Sequence, residues 1–416
     1  MKRMLKEEKV FKDAVHQYIY VKHPLIWDLI NTKEMQRLRR IRQLGTSFYT
    51  FHGAEHSRFS HSLGVYEVTR KIISSFQRNG YVAWSEEEIL LALSAALLHD
   101  IGHGPFSHSF ETVFHFHHED WTCRMLCEDT EVSKALRTYQ SDLPEKIKQV
   151  VQKTYENGSI VSLISSQLDA DRMDYLLRDA HFTGVNYGTF DFDRIVRMLR
   201  PYDGKIVVKE NGVHAIEAYL MARYQMYWQV YFHPVTRSSE IILRKIFQRV
   251  KDLYLMDYTF HIFIDPLPKL MEGNMDIHDY FILDESFIQM LLMQWINEKD
   301  PILSDLCSRF LHRHLFKYKI VHEKEGILEY AQETLSKRGF DPKYYLEMEY
   351  PLDMPYDIYQ SEKDHKKQPI LIMTKEDKLI EISKRSEVIK SISGEKRGVH
   401  HLYFPEEMVQ HLTIPK

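Results

Sequence analysis

The stretch Ala92-Leu-Ser-Ala-Ala-Leu-Leu-His99-Asp100-Ile-Gly-His103-Gly-Pro-Phe-Ser-His108-Ser-Phe-Glu111 decides how the chain is read. An apolar helical run ends in His99 and Asp100, and a turn interrupted by Gly and Pro then presents His103 and His108. Neighbouring residues on a helix point about 100° apart, yet both reach one point when that point is a metal ion beyond the helix end. The same residues also fit a capped helix followed by a polar turn, so partners elsewhere in the chain have to decide.

Such partners exist. His61 lies between Ser57 and Ile73, where Phe59, Leu63, Val65, Val68 and Ile72 mark an amphipathic helix. Asp171 lies between Gln167 and Asp179, a second helical pattern with acids at 169, 171, 174 and 179. Two imidazoles and two carboxylates make a borderline-hard donor set for one divalent ion, Mn, Fe, Ni, Zn or Mg, with positions open for water and substrate oxygens.

In chain order the segments VFKDAVHQYI, MQRLRRIRQLG, FHGAEHSRFSHSLGV, ALLHDIGHGPFSH, DADRMDYLLRDAHFTGV and HLFKY run from Val10 to beyond Phe316. This ordered set resembles the HD superfamily of metal-dependent phosphohydrolases, and more narrowly its deoxynucleoside triphosphate triphosphohydrolases, bacterial and vertebrate. The resemblance implies a mainly α fold, an HD helical bundle with small β-hairpins, and one divalent metal ion held by His61, His99, Asp100 and Asp171. It also implies hydrolysis of a dNTP to deoxynucleoside and inorganic triphosphate by water attack at the α-phosphorus.

Further residues follow from the same resemblance. His103, His108 and His118 match non-ligand active-site histidines, and Glu111 stands where relatives commonly have Asp. A carboxylate there could charge His108 as the acid toward the deoxyribose O5′. Arg58, Arg172 and Arg223, with Tyr175, match phosphate-binding positions, and guanidinium forks suit phosphate oxygens; vertebrate relatives have Lys at the second. Gln43 and Asp179 match residues for the 3′-hydroxyl, and Leu44 and Tyr231 match those near sugar or base. Tyr227 departs from the His often found at its position, which leaves base preference open. Arg194, Arg313 and Lys317 match effector-phosphate positions, implying a nucleotide effector at a subunit interface of a homo-oligomer, a tetramer favoured. Two departures bear on that effector: Asp13-Ala-Val-His-Gln replaces Asp-Pro-Ile-His-Gly, and Asn31 replaces an Asp. His115, His117, Arg39, Arg40 and Arg197 read as solvated polar positions.

Composition bounds the rest. The 416 residues are 44% hydrophobic and 27% charged, enough for a substantial core. A net charge of −4 offers no global attraction to nucleic acid or an anionic membrane. Cys123, Cys127 and Cys307 form neither an even set nor a CxxC, as expected of a reducing cytoplasm. The charged start, MKRMLKEEKVFKD, lacks an apolar core, and no apolar run is long enough to span a membrane.

Periodicity predicts an extended segment at Val10–Tyr20 and helices at Leu25–Leu44, Ser60–Gln77, Glu86–His99, Glu119–Glu128, Glu131–Thr138, Pro144–Lys153, Ile160–Asp179, Asp191–Leu199 and Val213–Leu253. A hairpin turning at Asn211-Gly212 is expected after Lys205. A helical domain over 1–316, with its HD core at about 50–180, is then followed by a small α+β subdomain over 317–416, with strands at Lys319–His322, Tyr344–Tyr350 and Pro369–Ile382 and a helix at Glu325–Lys337. Two alternatives stand beside the triphosphohydrolase reading: another HD phosphohydrolase, acting on nucleoside monophosphates or alarmones, and a non-catalytic nucleotide- or nucleic-acid-binding HD protein.

Overall fold

The computed structural model describes residues 4–81, 84–322, 326–350, 369–393 and 399–413, and for His108 the backbone alone. The fold is mainly α with small sheets. It opens with a hairpin, β1 (Lys9–Asp13) and β2 (Gln17–Val21), then α1 (Pro24–Ile30), α2 (Lys33–Arg37), α3 (Arg58–Arg78), α4 (Glu86–Leu98), α5 (His108–Phe114), α6 (His118–Cys127), α7 (Glu131–Tyr139), α8 (Leu143–Val151), α9 (Gly158–Ile164), α10 (Ala170–Thr183) and α11 (Phe192–Met198). After β3 (Leu199–Tyr202) and β4 (Lys205–Lys209) come α12 (Val213–Met226), α13 (Pro234–Leu255), α14 (Leu267–Glu272), α15 (Ile277–Ile282), α16 (Glu285–Trp295) and α17 (Pro301–Leu311). The remainder holds β5 (Lys317–Val321), α18 (Ile327–Lys337), α19 (Pro342–Tyr345), β6 (Glu347–Glu349), β7 (Leu371–Met373), β8 (Leu379–Glu381), α20 (Glu387–Ile392) and β9 (His400–Phe404).

At the centre, α3 packs on α4 and α10, and α13 lies against α5 and α17. Their facing sides supply a continuous apolar core, including Val65, Val68, Ile72, Leu91, Ala95, Leu98, Met173, Leu176 and Ile246. One four-stranded sheet runs in the order β3-β4-β7-β8, with β7 parallel to β4, and a three-stranded sheet runs β5-β9-β6. Among the described residues no helix is long and apolar enough to cross a membrane.

Three of the expected long helices are broken, and each break positions part of the cavity described below. The Leu25–Leu44 pattern stops at Asn31, restarts under a Thr32 cap, and ends at Arg37. Ile41 and Gln43 then run beside the segment before α3, where the Arg58 N–H donates to the Ile41 carbonyl at 2.9 Å and the Gln43 N–H to the His56 carbonyl at 2.9 Å. The Ile160–Asp179 pattern breaks because Asp169 caps a new helix by accepting the Arg172 N–H at 2.8 Å. That puts Asp171 in a first turn. The Val213–Leu253 pattern passes through a π-helical turn, Tyr227–Tyr231, and restarts at Pro234.

The expected hairpin turns elsewhere. β4 pairs back onto β3 through Asp203 and Gly204, whose φ values of +47° and +66° suit a two-residue I′ turn, whereas Asn211-Gly212 leads into α12. Tyr344–Tyr350 divides into α19 and β6 rather than one strand. Part of the expected Glu325–Lys337 helix start lies outside the described residues.

Candidate active site

α4 starts under a capping box of Ser85 and Glu88 and is buried from Leu90 to Ala92 and again from Ser94 to Leu98, so its end carries His99 and Asp100 into the interior. His61 comes from α3 and Asp171 from the first turn of α10. The His61 Nδ1–H donates to the Asp174 carboxylate at 2.8 Å, and the His99 Nδ1–H donates to the Ala96 carbonyl at 2.9 Å. Both rings therefore direct Nε2 inward, toward Asp171 Oδ1, which lies 3.0 Å from His61 Nε2 and 3.6 Å from His99 Nε2.

A ring nitrogen facing a carboxylate oxygen needs a proton or a metal cation between them. His99 Nε2 is buried with no hydrogen-bond partner among the described residues. Without an ion a proton takes that place at His61: burial opposes a charge there, yet the hydrogen bonds of Asp171 and Asp174 push its pKa up to about 10, and a divalent ion would displace the Nε2 proton that faces Asp171. His61, His99 and Asp171 thus form a donor set that fits a divalent ion.

Asp100 stands at the edge of this cluster. Its Oδ1 is 3.4 Å from His99 Nε2 and 3.2 Å from His103 Nε2, and its Oδ2 is 2.5 Å from Arg58 Nη1 and 3.9 Å from His61 Nε2. Burial is outweighed by His99, His103 and Arg58, which hold the Asp100 carboxyl well below the usual carboxylate range. Arg58 also donates to Ser107 Oγ, at 2.8 Å from Nη2.

Beyond Asp100 the chain makes a strained turn in which consecutive residues Phe106 and Ser107 take φ values of +53° and +43°. Gly102 lets α6 close on this turn, since a Cβ there would lie 2.2 Å from the His118 carbonyl oxygen and 2.3 Å from the Thr122 nitrogen. The His103 and His118 rings consequently stack, with centroids 3.8 Å apart and planes 13° apart. Glu111 accepts from His118 Nδ1 at 3.1 Å and lies 3.5 Å from His103 Nδ1. These three are close enough for an ion, but an ion lies in the plane of each imidazole that binds it, and two stacked parallel rings share no plane. Burial and the Arg58 guanidinium pull the His103 pKa down to about 4, so the ring is neutral. His108 opens α5, and its side chain lies outside the described residues.

A cavity of about 490 Å³ opens beside the cluster, reaching it at Asp171 and Asp100. Its lining includes Arg58, Asp100, His103, His118 and Asp171, and also Gln43, Leu44, Tyr175, Asp179, Tyr227 and Tyr231. Asp179 accepts from His56 Nε2 and from the Tyr231 hydroxyl, each at 2.8 Å. Gln43 Oε1 is buried and has no partner among the described residues. Arg172 and Arg223 fall outside the lining; Arg223 lies 5.4 Å over the Tyr227 ring. Arg223 Nε and Nη1 and Arg172 Nε are likewise buried without partners among the described residues. Such donors are costly to leave unpaired, and they suit an anion.

Arg194, Arg313 and Lys317 lie outside the cavity lining. Arg194 donates to the Asn211 carbonyl at 2.9 Å, Arg313 donates to the Tyr49 carbonyl at 2.9 Å, and Lys317 pairs with Glu406 at 3.3 Å. Sequence reading passes over His56, Ser107, Arg237 and Glu240, of which the last three line the cavity and His56 holds Asp179. His56 leaves a signal in the FHGAEHSRFSH segment and Ser107 in the HDIGHGPFSH turn; Arg237 and Glu240 look like any solvated helix face.

Comparison with known proteins follows the same outline. The HD domain family matches residues 58–179, and the HD associated region matches residues 190–258. The chain is 51% identical over 407 residues to the uncharacterized protein YwfO of Bacillus subtilis, covering 97% of this chain and 94% of that protein. It is 31% identical over 330 residues to the deoxynucleoside triphosphate triphosphohydrolase SAMHD1 homolog of Dictyostelium discoideum, covering 75% of this chain and 60% of that protein. The crystal structure of a phosphohydrolase from Bacteroides thetaiotaomicron superposes with a TM-score of 0.84 at 28% identity, covering 96% of this chain and 100% of that one.

Proposed function

The chain belongs to the HD superfamily of phosphohydrolases, and from that premise we propose that it hydrolyses deoxynucleoside triphosphates to deoxynucleoside and inorganic triphosphate. One observation carries the reading: His61, His99 and Asp171 turn ligand atoms on one another beside a nucleotide-sized cavity that Asp171 lines, with both imidazole Nδ1 atoms already committed to other acceptors.

In this reading His61, His99, Asp100 and Asp171 hold one divalent ion, which when bound supplies Lewis acidity and a water of lowered pKa. Arg58, Arg172 and Arg223 neutralise the triphosphate, and Tyr175 packs beside it. Gln43 and Asp179 take the 3′-hydroxyl. Leu44, Tyr227 and Tyr231 close around sugar and base. His103 and His118, tied together by Glu111, orient the α-phosphoryl oxygens, and His108 gives its proton to O5′ as the P–O5′ bond breaks.

Arg194, Arg313 and Lys317 are proposed as effector-phosphate residues at a subunit interface, in a cytoplasmic homo-oligomer with 317–416 as a small subdomain on the helical body. The test is to incubate metal-loaded protein with each dNTP, with and without dGTP, and to identify the products. Triphosphate release that disappears in folded Asp171→Ala supports the reading. Release of orthophosphate from monophosphates or alarmones instead would assign a different HD reaction.

A further inference from the structure

The turn of the N-terminal hairpin reaches the back of the candidate metal centre. Half of the residues of β1 and β2 are exposed, but the His16 side chain is only 2% exposed, and its Nε2–H donates to Asp174 Oδ1 at 2.6 Å. Asp174 is the acceptor that fixes His61 Nδ1, through its other oxygen. Arg178, one turn along α10, grips the same carboxylate, Nε to Oδ2 at 2.8 Å and Nη2 to Oδ1 at 3.0 Å. It also reaches Asp13, with Nη1 2.9 Å from Oδ2 and Nη2 3.2 Å from Oδ1. Asp13 in turn accepts the backbone N–H groups of Val15 at 2.9 Å and His16 at 2.8 Å. Gly64 leaves the room: a Cβ there would stand 1.9 Å from Asp174 Oδ1 and 2.5 Å from Arg178 Nη2.

A buried carboxylate with four donors has one orientation, and that orientation sets which nitrogen of His61 carries the proton. We infer that the hairpin turn, through Asp13 and His16, is a positioning element of the metal site: it holds Asp174, and thereby His61, in the form that can ligate. His16 and Asp13 touch neither ion nor substrate and act through Asp174. The inference rests on the reading of His61 as a metal ligand.

The experiment is a Mn²⁺ titration of the full-length metal-stripped chain, followed by loss of the free-ion EPR signal, on wild type, His16→Leu, His16→Gln, Asp13→Asn and Asp171→Ala, with thermal melts of each. Groups that hydrogen-bond a metal ligand from behind typically contribute roughly 10- to 100-fold in metal affinity. His16→Leu is expected to lose affinity in that range. His16→Gln, whose amide can donate from near the Nε2 position, recovers most of it, and Asp13→Asn, which weakens both turn and Arg178 grip, falls between. Should His16→Leu fail to fold, the Asp13→Asn titration alone decides, and wild-type affinity there overturns the inference. Wild-type affinity in folded His16→Leu overturns it when Asp171→Ala has lost the ion, because the site is then real and the hairpin irrelevant. Equal loss in His16→Leu and His16→Gln also counts against it. Undiminished binding by Asp171→Ala would instead refute the metal-site reading itself.

Discussion

Replacing Asp169 separates a helix cap from a charge. Its carboxylate accepts the Arg172 N–H at 2.8 Å as the cap of α10, accepts the Ser166 N–H at 2.7 Å, and pairs with the Arg172 guanidinium. Asp169→Ala removes a cap worth about 1 kcal/mol and strands a part-buried N–H at about 1 kcal/mol more. A loss of about 2 kcal/mol in local opening free energy corresponds to roughly 30-fold faster amide exchange in the first turn of α10. Asp169→Asn keeps a cap acceptor of equal rank and should exchange only a few-fold faster. Hydrogen–deuterium exchange read by mass spectrometry on peptides spanning 166–178 measures this directly. Because Asp171 sits in that turn, Mn²⁺ affinity should fall in the same order. If Ala and Asn accelerate exchange equally, or neither does, the cap does not hold the turn and the explanation of why α9 and α10 are separate helices is wrong.

Three further outcomes are expected. His103, held down to about 4 by burial and Arg58 against an ordinary 6.5, binds its proton in the unfolded chain first, so stability is lost as pH falls through that window. Metal-free wild type should lose roughly 2 kcal/mol more between pH 7 and pH 5 than His103→Asn, and parallel urea-melt slopes would contradict the neutral ring. Arg223→Met should lower kcat/KM for a dNTP by roughly 10- to 100-fold, the worth of a charge-assisted contact, without lowering the melting temperature, since its Nε and Nη1 have no partners among the described residues to lose. Gly64→Ala should destabilise by roughly 1–3 kcal/mol through overpacking, read as a drop in melting temperature; an unchanged melt would mean that Asp174 and Arg178 can move aside.

Much of this site is legible in the sequence because ligand chemistry leaves compact marks. His99 and Asp100 at the end of an apolar run, and His61 and Asp171 in amphipathic patterns, are visible as residue types at helical spacing. The breaks within long patterns are harder to see. Apolar periodicity continues across Asp169 and across Tyr227–Tyr231, and only side-chain hydrogen bonds or a widened turn interrupt the backbone there. Arg37 shows the same limit: it is 1% exposed and donates to the His103 and Leu283 carbonyls, yet in sequence it is one of several arginines in the run MQRLRRIRQLG. Buried polar partners of this kind are fixed by tertiary contacts that no local pattern records. Similarly, the Asn211-Gly212 pair has better turn chemistry than most dipeptides, but Asp203-Gly204 offers the same chemistry and lies between the two strands that actually pair.

The most direct measurement of the proposed reaction is hydrolysis of a dNTP by the metal-loaded protein in ¹⁸O-labelled water, with both products weighed by mass spectrometry. Attack of water at the α-phosphorus with departure of O5′ places one heavy oxygen in inorganic triphosphate and leaves the deoxynucleoside unlabelled. Label in the deoxynucleoside, or release of pyrophosphate or orthophosphate in place of triphosphate, would contradict it.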